Sequence, residues 1–309
     1  MNFPAYKGKI TFPIFVLTLI LVASCSSDDE TQDPIVDVYL SIPDSHFETI
    51  LVDQGIDSDS TVNQQMLKSD AEKVSRLDLN LSSHFGEISD LTGIEGFVNL
   101  KFLSAANQEL TQVDLSYNTL LDTVYLFANR LTSIDLSNNP NLIFVDLQSN
   151  EFSASSEIVG LSNATMLKDL DLSWNYLQDF SIHNESLEVL HMSHNDLVSV
   201  DTDGAVNLQH VLLTSNLLET VDFSTNTSLE TLLISGNKIE YMGLDTNTSL
   251  THLYSSSNLL ASLDVSNNQK LIDLRVDRNP NLTCIKILSG QEDPTVSISD
   301  YQELSATCN

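Results

Sequence analysis

Basic residues are scarce in this chain: 13 Lys and Arg stand against 43 Asp and Glu among 309 residues, a formal net charge of −30 at pH 7. Contacts to nucleic-acid phosphates need a basic face, so this balance excludes a nucleic-acid-binding protein. It also argues against electrostatic adsorption to anionic lipid. A field of this sign favours a basic partner.

Cysteine, glycine and proline are also rare. The three Cys residues are too few for a disulfide-rich scaffold and lack the CxxC spacing of a zinc site. Ten Gly and seven Pro exclude collagen-like and linker-dominated chains.

No GxSxG, HExxH, P-loop or dinucleotide-binding motif occurs, so no enzyme is predicted. Hydrophobic residues make up 41% of the chain, which is enough to build a core.

One long apolar run, Ile10 to Val22, lies near the N-terminus. It covers about 20 Å as a helix, too short for a hydrocarbon core of about 30 Å, and is typical of a secretory signal. The run ends in the sequence VASC at 22–25, which resembles the lipobox of bacterial lipoproteins. The resemblance implies that residues 1–24 are removed and that Cys25 carries a palmitate-type lipid anchor. An ordinary signal with a chance Cys is the alternative.

Acidic residues follow Cys25 directly. The stretch SSDDE at 26–30 resembles the surface-export tag that some Gram-negative bacteria place behind the lipid-bearing Cys. The resemblance implies a lipid-anchored protein of the outer membrane or cell surface, with residues 25–37 as an acidic tether. A tether that is merely flexible is the alternative.

Two cysteines remain if Cys25 is lipidated. Cys284 and Cys308 then form an even pair in an oxidising compartment. We predict a disulfide between them, which would close a loop of about 25 residues at the C-terminal end.

The sequence repeats from about residue 100 onward. The frame L-x-x-L-x-L-x-x-N-x-L fits residues 121–131, 187–197 and 229–239. Six of the nine intervals between repeat starts are 21 residues, and the starts are Val74, Leu100, Leu121, Leu142, Leu167, Leu187, Leu208, Leu229, Leu250 and Leu271. This pattern resembles the leucine-rich repeat, which implies a solenoid of about ten coils over residues 74–288.

The repeat frame predicts how each coil is built. Apolar residues at the fourth and sixth positions alternate with polar ones, which indicates a short strand with one buried face. Stacked coils then form a parallel sheet on the concave side, with strands about 4.8 Å apart. The ninth-position Asn should turn inward and bond backbone groups, with Gln108 and Ser82 in its place in the first two repeats. The second half of each unit also alternates, so we predict extended segments, not helices, on the convex side.

Two acidic patterns leave a role for calcium open. The stacked convex pairs Asp114 with Asp135 and Asp201 with Asp222 would repel unless they accept hydrogen bonds from turn amides or share an ion. Residues 57–63 (DSDSTVN) carry the alternating oxygens of a calcium loop but lack its required Gly and final acid. We interpret both as turn structures, with calcium as the alternative, and predict no other cofactor or metal site.

Caps should close both ends of the solenoid, at residues 38–73 and 289–309. Asp44 or Ser45 followed by apolar residues at 47, 50 and 51 predicts a short capped helix. The motifs IPDS (42–45), GIDSD (55–59) and ISDLTGIE (88–95) resemble the N-terminal cap of secreted, internalin-like bacterial leucine-rich repeat proteins, and residues 281–308 resemble their closing cap. The resemblance implies fold and secretion, but no particular ligand.

Side chains at the third, fifth and seventh positions should point out from the concave sheet. Phe102, Tyr125, Phe127 and Phe144 fall on three adjacent coils and predict an exposed aromatic cluster, the usual form of an interface anchor. The alternative is that the extra residues of the 25-residue repeat, near 153–156, fold over these rings.

A polar group adjoins the aromatic cluster in the same rows. Asp146, Asp171 and His191 are consecutive, with Asp169 and His210 beside them, and could bind a partner, ligate a metal or act as acid and base. An open sheet does not desolvate such groups, so we interpret them as a hydrated binding surface. The predicted partner-binding residues are Phe102, Tyr125, Phe127, Phe144, Trp174, Asp146, Asp171, His191, His210, His252, Tyr254 and Arg275.

The sequence therefore predicts a lipid-anchored cell-envelope protein that binds another protein, of basic character, across its concave face. Its membrane contact would be through the lipid anchor alone. A surface lipoprotein that captures glycans on the same rings and a passive envelope scaffold are the alternatives.

Overall fold

The computed structural model describes residues 38–80, 86–290 and 294–308. The predicted signal peptide (1–24), the tether (25–37) with Cys25, and Ser82 lie outside the described residues. Within the described ranges, no helix is both long enough and apolar enough to cross a bilayer.

The N-terminal end is closed by a small mixed unit. Strands β1 (Tyr39–Ser41) and β2 (Gln65–Leu67) pair antiparallel, and helices α1 (Ser45–Asp53) and α2 (Lys68–Ala71) flank β2. Asp44 caps α1, because its Oδ1 accepts from the amides of residues 46 and 47 at 2.9 and 3.1 Å. The helix buries Phe47, Ile50 and Leu51 completely. The predicted capped helix is confirmed.

Turn contacts account for the calcium-like segment at 57–63. Asp57 Oδ1 accepts the amide of Asp59, and Asp59 Oδ1 accepts that of Thr61 at 2.8 Å. The buried Glu48 carboxylate accepts the amides of residues 63–65 at 2.9–3.1 Å and so holds the loop to α1. Asp57 Oδ2 makes no hydrogen bond, and burial raises the pKa of this carboxyl. The hydrogen bonds of this segment favour the turn interpretation. In the described residues, no three His, Cys, Asp or Glu side chains are arranged to hold a metal ion.

Eleven parallel strands form the concave sheet, with one strand from each coil. The strands are β3 (Arg76–Asp78), β4 (Phe102–Ser104), β5 (Thr123–Tyr125), β7 (Phe144–Asp146), β9 (Asp169–Asp171), β11 (Val189–His191), β13 (His210–Leu212), β14 (Thr231–Leu233), β15 (His252–Tyr254), β17 (Asp273–Arg275) and β19 (Thr295–Ser297). From β3 to β17 the middle residue of each strand, such as Leu190 or Leu232, has no exposed surface. The leucines of neighbouring coils therefore stack into one continuous core.

The convex side is extended, as the alternation predicts. Short strands there pair between neighbouring coils, and they are β6 (Ile134–Asp135), β8 (Ile158–Val159), β10 (Asp179–Ser181), β12 (Ser199–Asp201), β16 (Leu263–Asp264), β18 (Cys284–Lys286) and β20 (Glu303–Ser305). The only helical turns described in the repeats are three 3-10 segments, Ile94–Gly96, Ser155–Glu157 and Leu161–Asn163.

The stacked convex acids are held by their own turns. Asp114, Asp135 and Asp222 each accept the backbone amide of the Ser two residues later, at 2.8–2.9 Å. These serines hold the pKa of all three carboxyls below the ordinary value. Asp201 accepts the amide of Asp203 at 3.0 Å in the same way. The hydrogen bonds favour the turn interpretation over calcium.

Buried asparagines join each coil to the one before it. Asn216 is typical: its Nδ2 donates to the carbonyls of Met192 and Leu213 at 2.9 and 3.0 Å, and its Oδ1 accepts the amide of Leu197 at 3.1 Å. Gln108 substitutes in the first coils, where its Oε1 accepts the amide of Ile88. The inward role predicted for the ninth-position Asn is confirmed.

A second ladder of buried asparagines runs along the convex turns, and the sequence analysis did not identify it. The Nδ2 atom of each donates to a backbone carbonyl of the preceding coil, and the members are Asn118, Asn139, Asn184, Asn226, Asn247 and Asn268.

The C-terminal segment continues the solenoid. Strand β19 extends the concave sheet beside β17, and β20 pairs with β18 on the convex side. The predicted disulfide between Cys284 and Cys308 is present, with Cα atoms 5.7 Å apart. It ties the chain beyond β20 to β18.

Candidate functional site

Strand register arranges the outward side chains of the concave sheet in rows. Phe102, Thr123, Phe144 and Asp169 are direct neighbours on successive strands in one row. Ser104, Tyr125, Asp146, Asp171 and His191 are neighbours in the row beside it. The two rows therefore bring the predicted aromatic and polar residues onto one patch of sheet.

The aromatic residues form a stack with a cation at one end. The ring centroids of Phe102 and Tyr125 are 5.7 Å apart, and those of Tyr125 and Phe144 are 4.8 Å apart. The guanidinium carbon of Arg76 lies 3.4 Å from the Phe102 ring centroid, a cation–π contact. All three rings are partly exposed. Phe127 is also partly exposed, but it lies two residues after Tyr125, in the next outward row, and is not part of this stack.

The extra residues of the 25-residue repeat do not cover these rings. The 3-10 segment Ser155–Glu157 packs against the convex strand β10, and Ser155 Oγ donates to Asp179 Oδ1 at 2.8 Å. The next residues form β8, which pairs with β6 on the convex side. The insertion thus lies on the convex side and leaves the aromatic stack open.

Carboxylates crowd next to the aromatic stack. Asp146 is only 6% exposed, and its Oδ1 accepts the amide of Gln148 at 3.1 Å. Burial raises the pKa of Asp146 to about 6, and the negative charges of Asp171 and Asp169 add to this shift. Burial likewise raises the pKa of Asp169, against the opposing effect of His191, whose Nε2 lies 3.8 Å from Asp169 Oδ1.

The C-terminal end of the face carries a second aromatic and charged group. The guanidinium carbon of Arg275 lies 4.1 Å from the Tyr254 ring centroid, and its Nη2 donates to Asp273 Oδ2 at 3.0 Å. Tyr254 Oη donates to the same oxygen at 2.7 Å, which raises the pKa of the phenol. Arg275 lowers the pKa of Asp273. His252 contacts the Tyr254 ring edge-on, at 6.5 Å between centroids.

Comparison with known proteins bears on the fold. No known protein-family profile matches the chain. Rat (Rattus norvegicus) lumican is 31% identical over 153 residues, which are 40% of this chain and 44% of lumican, so the chain spans less than half the length of that relative. The functional domain of InlJ from Listeria monocytogenes superposes with a TM-score of 0.68 at 22% identity, over 81% of this chain and 56% of that one. The chain has the leucine-rich repeat fold.

A further leucine-rich repeat structure, the LRIM1/APL1C complex, superposes with a TM-score of 0.51 at 26% identity, over 69% of this chain and 39% of that one.

Most concave strands of this chain are followed, at position eight of the repeat, by a residue with left-handed backbone geometry. The position-eight residues have φ between 54° and 60°, the left-handed region: Asn107, Ala128, Ser149, Trp174, His194, Ser215, Ser257 and Arg278. Gly236 holds this position in one coil, with φ of 70°.

Trp174 and His194 stand out in this rim column. Their rings stack face to face, with centroids 3.8 Å apart and planes 16° apart, and Trp174 is 56% exposed. A bulky residue in the left-handed region is strained relative to Gly, so these side chains are placed at a backbone cost. At the predicted rim position, the exposed Trp174 ring therefore stacks on the partly exposed His194 ring.

Some residues of the site did not follow from the sequence analysis. Arg76 is the third-position residue of the repeat that starts at Val74, and extending the outward rows by that one repeat would have found it. Asp273 is the third-position residue of the repeat that starts at Leu271, but only the structure shows that it joins Tyr254 to Arg275. The structure brings most of the predicted residues into two separate groups on the sheet, one around Tyr125 and one around Tyr254, and places Trp174 on the rim.

Proposed function

We propose that this chain is a recognition protein that binds a protein partner through the concave face, with the Tyr125 stack as its anchor. The single observation that carries the proposal is the open stack of three partly exposed rings on neighbouring strands of the concave sheet. Exposed aromatics of this kind are enriched at interface hot spots. Leucine-rich repeat solenoids present extended concave surfaces for binding, and the LRIM1/APL1C structure is itself a complex.

Anchoring to the outer membrane or cell surface through lipid on Cys25 is part of the proposal. Its support is the sequence pattern at 22–30. Growth of a Gram-negative expression host with a clickable palmitate analogue should label the chain, and Cys25→Ser should abolish the label. Labelling that persists in the Cys25→Ser protein would contradict the anchor.

Affinity purification with the full chain in neutral detergent tests the binding surface. Tyr125→Ala/Phe127→Ala should lose the partner protein captured by the unaltered chain while its circular dichroism spectrum stays the same. The matched control is Tyr117→Ala/Tyr241→Ala, which removes two exposed tyrosines outside the concave strands and should keep full capture. Capture that is unchanged in the folded Tyr125/Phe127 variant would exclude these rings as the anchor.

Glycan binding is the second candidate, because the same open rings could stack on sugar faces. A glycan array probed with the full chain separates the two functions. We infer no catalytic role, since the concave carboxylates and imidazoles lie on an open sheet and not in an enclosed cleft.

A further inference from the structure

Two arginines on the concave face show how this sheet holds a cation. Each guanidinium lies over an aromatic ring and next to a carboxylate. Arg76 lies over Phe102 with Asp78 Oδ2 at 3.8 Å, and Arg275 lies over Tyr254 with Asp273 Oδ2 at 3.0 Å. The ring supplies its negative face and the carboxylate supplies charge, so the two contacts reinforce each other.

A third group of this composition lies between them and lacks the cation. The register places Asp169 beside Phe144 and places Asp146 between Tyr125 and Asp171. Among the described residues, no Lys or Arg forms an ion pair with Asp146, Asp169 or Asp171.

Among the described residues, the groups that oppose the negative charge of Asp169 are the imidazoles of His191 and His210. His191 on β11 is 3.8 Å from Asp169 Oδ1, and His210 follows on β13. Asp169 Oδ1 is buried and makes no hydrogen bond. The group therefore has uncompensated negative charge beside an open ring.

We propose that Tyr125, Phe144, Asp146, Asp169 and Asp171 form a receptor for the guanidinium of an arginine side chain on the protein partner. This inference rests on the proposed function and specifies the chemistry that the partner presents. A guanidinium fits better than an ammonium, because it is planar, stacks on aromatic rings and donates to two carboxylate oxygens at once. The net charge of −30 favours the approach of a basic partner.

Fluorine NMR on the full chain in neutral detergent tests the receptor directly. The tyrosines are labelled as 3-fluorotyrosine, and the Tyr125 resonance is the one absent from Tyr125→Phe. The probe is N-acetyl-arginine amide, and its neutral isostere N-acetyl-citrulline amide is the control at matched ionic strength. We expect a saturable shift of the Tyr125 resonance with a Kd of about 1–10 mM for the arginine probe and none for citrulline. Equal shifts with both probes, or none with arginine, would overturn the proposal.

A charge-matched pair of variants tests the carboxylates. Asp169→Asn/Asp171→Asn should weaken arginine-probe binding about fivefold or more. Asp201→Asn/Asp222→Asn makes the same change of net charge on the convex side and should bind as the unaltered chain does. Equal weakening in both variants would show that only overall charge matters and would refute a local receptor.

The two proposals can fail separately. If Tyr125→Ala/Phe127→Ala loses the partner but the arginine probe causes no shift, the binding surface stands and the arginine receptor is wrong. If the probe binds but partner capture is unchanged in that variant, the receptor exists and the proposed anchor is wrong.

Discussion

Replacing Asp146 by Asn isolates the cost of burying a carboxylate on the concave face. The side chain is 6% exposed; its Oδ1 accepts the backbone amide of Gln148 at 3.1 Å, and its Oδ2 accepts from Gln148 Nε2 at 3.4 Å. Asn keeps the Oδ1 acceptor and the shape of the side chain, gives up the longer Oδ2 contact and carries no charge. The pKa of Asp146 is raised from 3.8 to about 6, chiefly by burial and then by the charges of Asp171 and Asp169.

The sign and size of the effect follow from this shift. Between pH 3.8 and about 6 the folded chain holds a proton that the unfolded chain has lost, so the stability due to this group falls as pH rises. A rise in the pKa of Asp146 from 3.8 to about 6 lowers the free energy of unfolding by about 3 kcal/mol once the pH is well above 6. We therefore expect Asp146→Asn to be about 2–3 kcal/mol more stable than the unaltered chain at pH 8, and only about 1 kcal/mol more stable at pH 4.5.

Urea unfolding followed by circular dichroism at the two pH values measures this difference. The control is Asp135→Asn on the convex side, where Ser137 holds the carboxyl pKa below its ordinary value. That variant should gain no stability at pH 8. If the free energies of unfolding of Asp146→Asn and the unaltered chain are equal at pH 8, burial does not destabilise this carboxylate. A difference of the same size at both pH values would also contradict the expected pH dependence.

Two further substitutions test what holds the coils together. Asn216→Ala removes three buried hydrogen bonds to backbone groups and should lower the free energy of unfolding by about 3–5 kcal/mol in urea titrations, whereas Asn207→Ala, which removes one exposed bond, should cost less than about 1 kcal/mol. Similar losses in the two variants would contradict a structural ladder. Cys284→Ser/Cys308→Ser should speed amide hydrogen exchange at 294–308 and lower stability by about 2–4 kcal/mol, with exchange at the N-terminal coils unchanged. Exchange that accelerates equally along the whole solenoid would contradict a local clasp.

The buried side of the molecule could be predicted because the repeat itself encodes burial. A Leu that recurs every 21 residues must stack on its copy, so positions such as Leu190 and Leu232 could be assigned to the core from spacing alone. The inward Asn followed from the same spacing, since a polar residue in an apolar frame needs backbone partners. The disulfide followed from the even number of cysteines that lipidation of Cys25 would leave.

The rim and the contacts between outward side chains could not be predicted in the same way. Left-handed backbone is usually indicated by Gly, but only Gly236 marks the rim column described here, while Trp174 and His194 adopt the same conformation because the coil must turn there. Whether the Arg76 guanidinium lies over Phe102 depends on side-chain rotamers, which the repeat frame does not determine. The role of Asp273 depends in the same way on how Tyr254 and Arg275 reach it.

The two ends of the concave face differ in whether their charges are already compensated. Arg275 neutralises Asp273 and lowers the pKa of that carboxyl, whereas no Lys or Arg in the described part of the chain pairs with Asp146, whose pKa is raised. Both carboxylates lie on outward strand positions of one sheet, so the main differences between them are the deeper burial of Asp146 and the guanidinium beside Asp273. A partner that brings a cation gains electrostatic free energy at Asp146, Asp169 and Asp171, and gains little at Asp273. Binding energy on this face should therefore concentrate in the coils around Tyr125 and decline toward Tyr254.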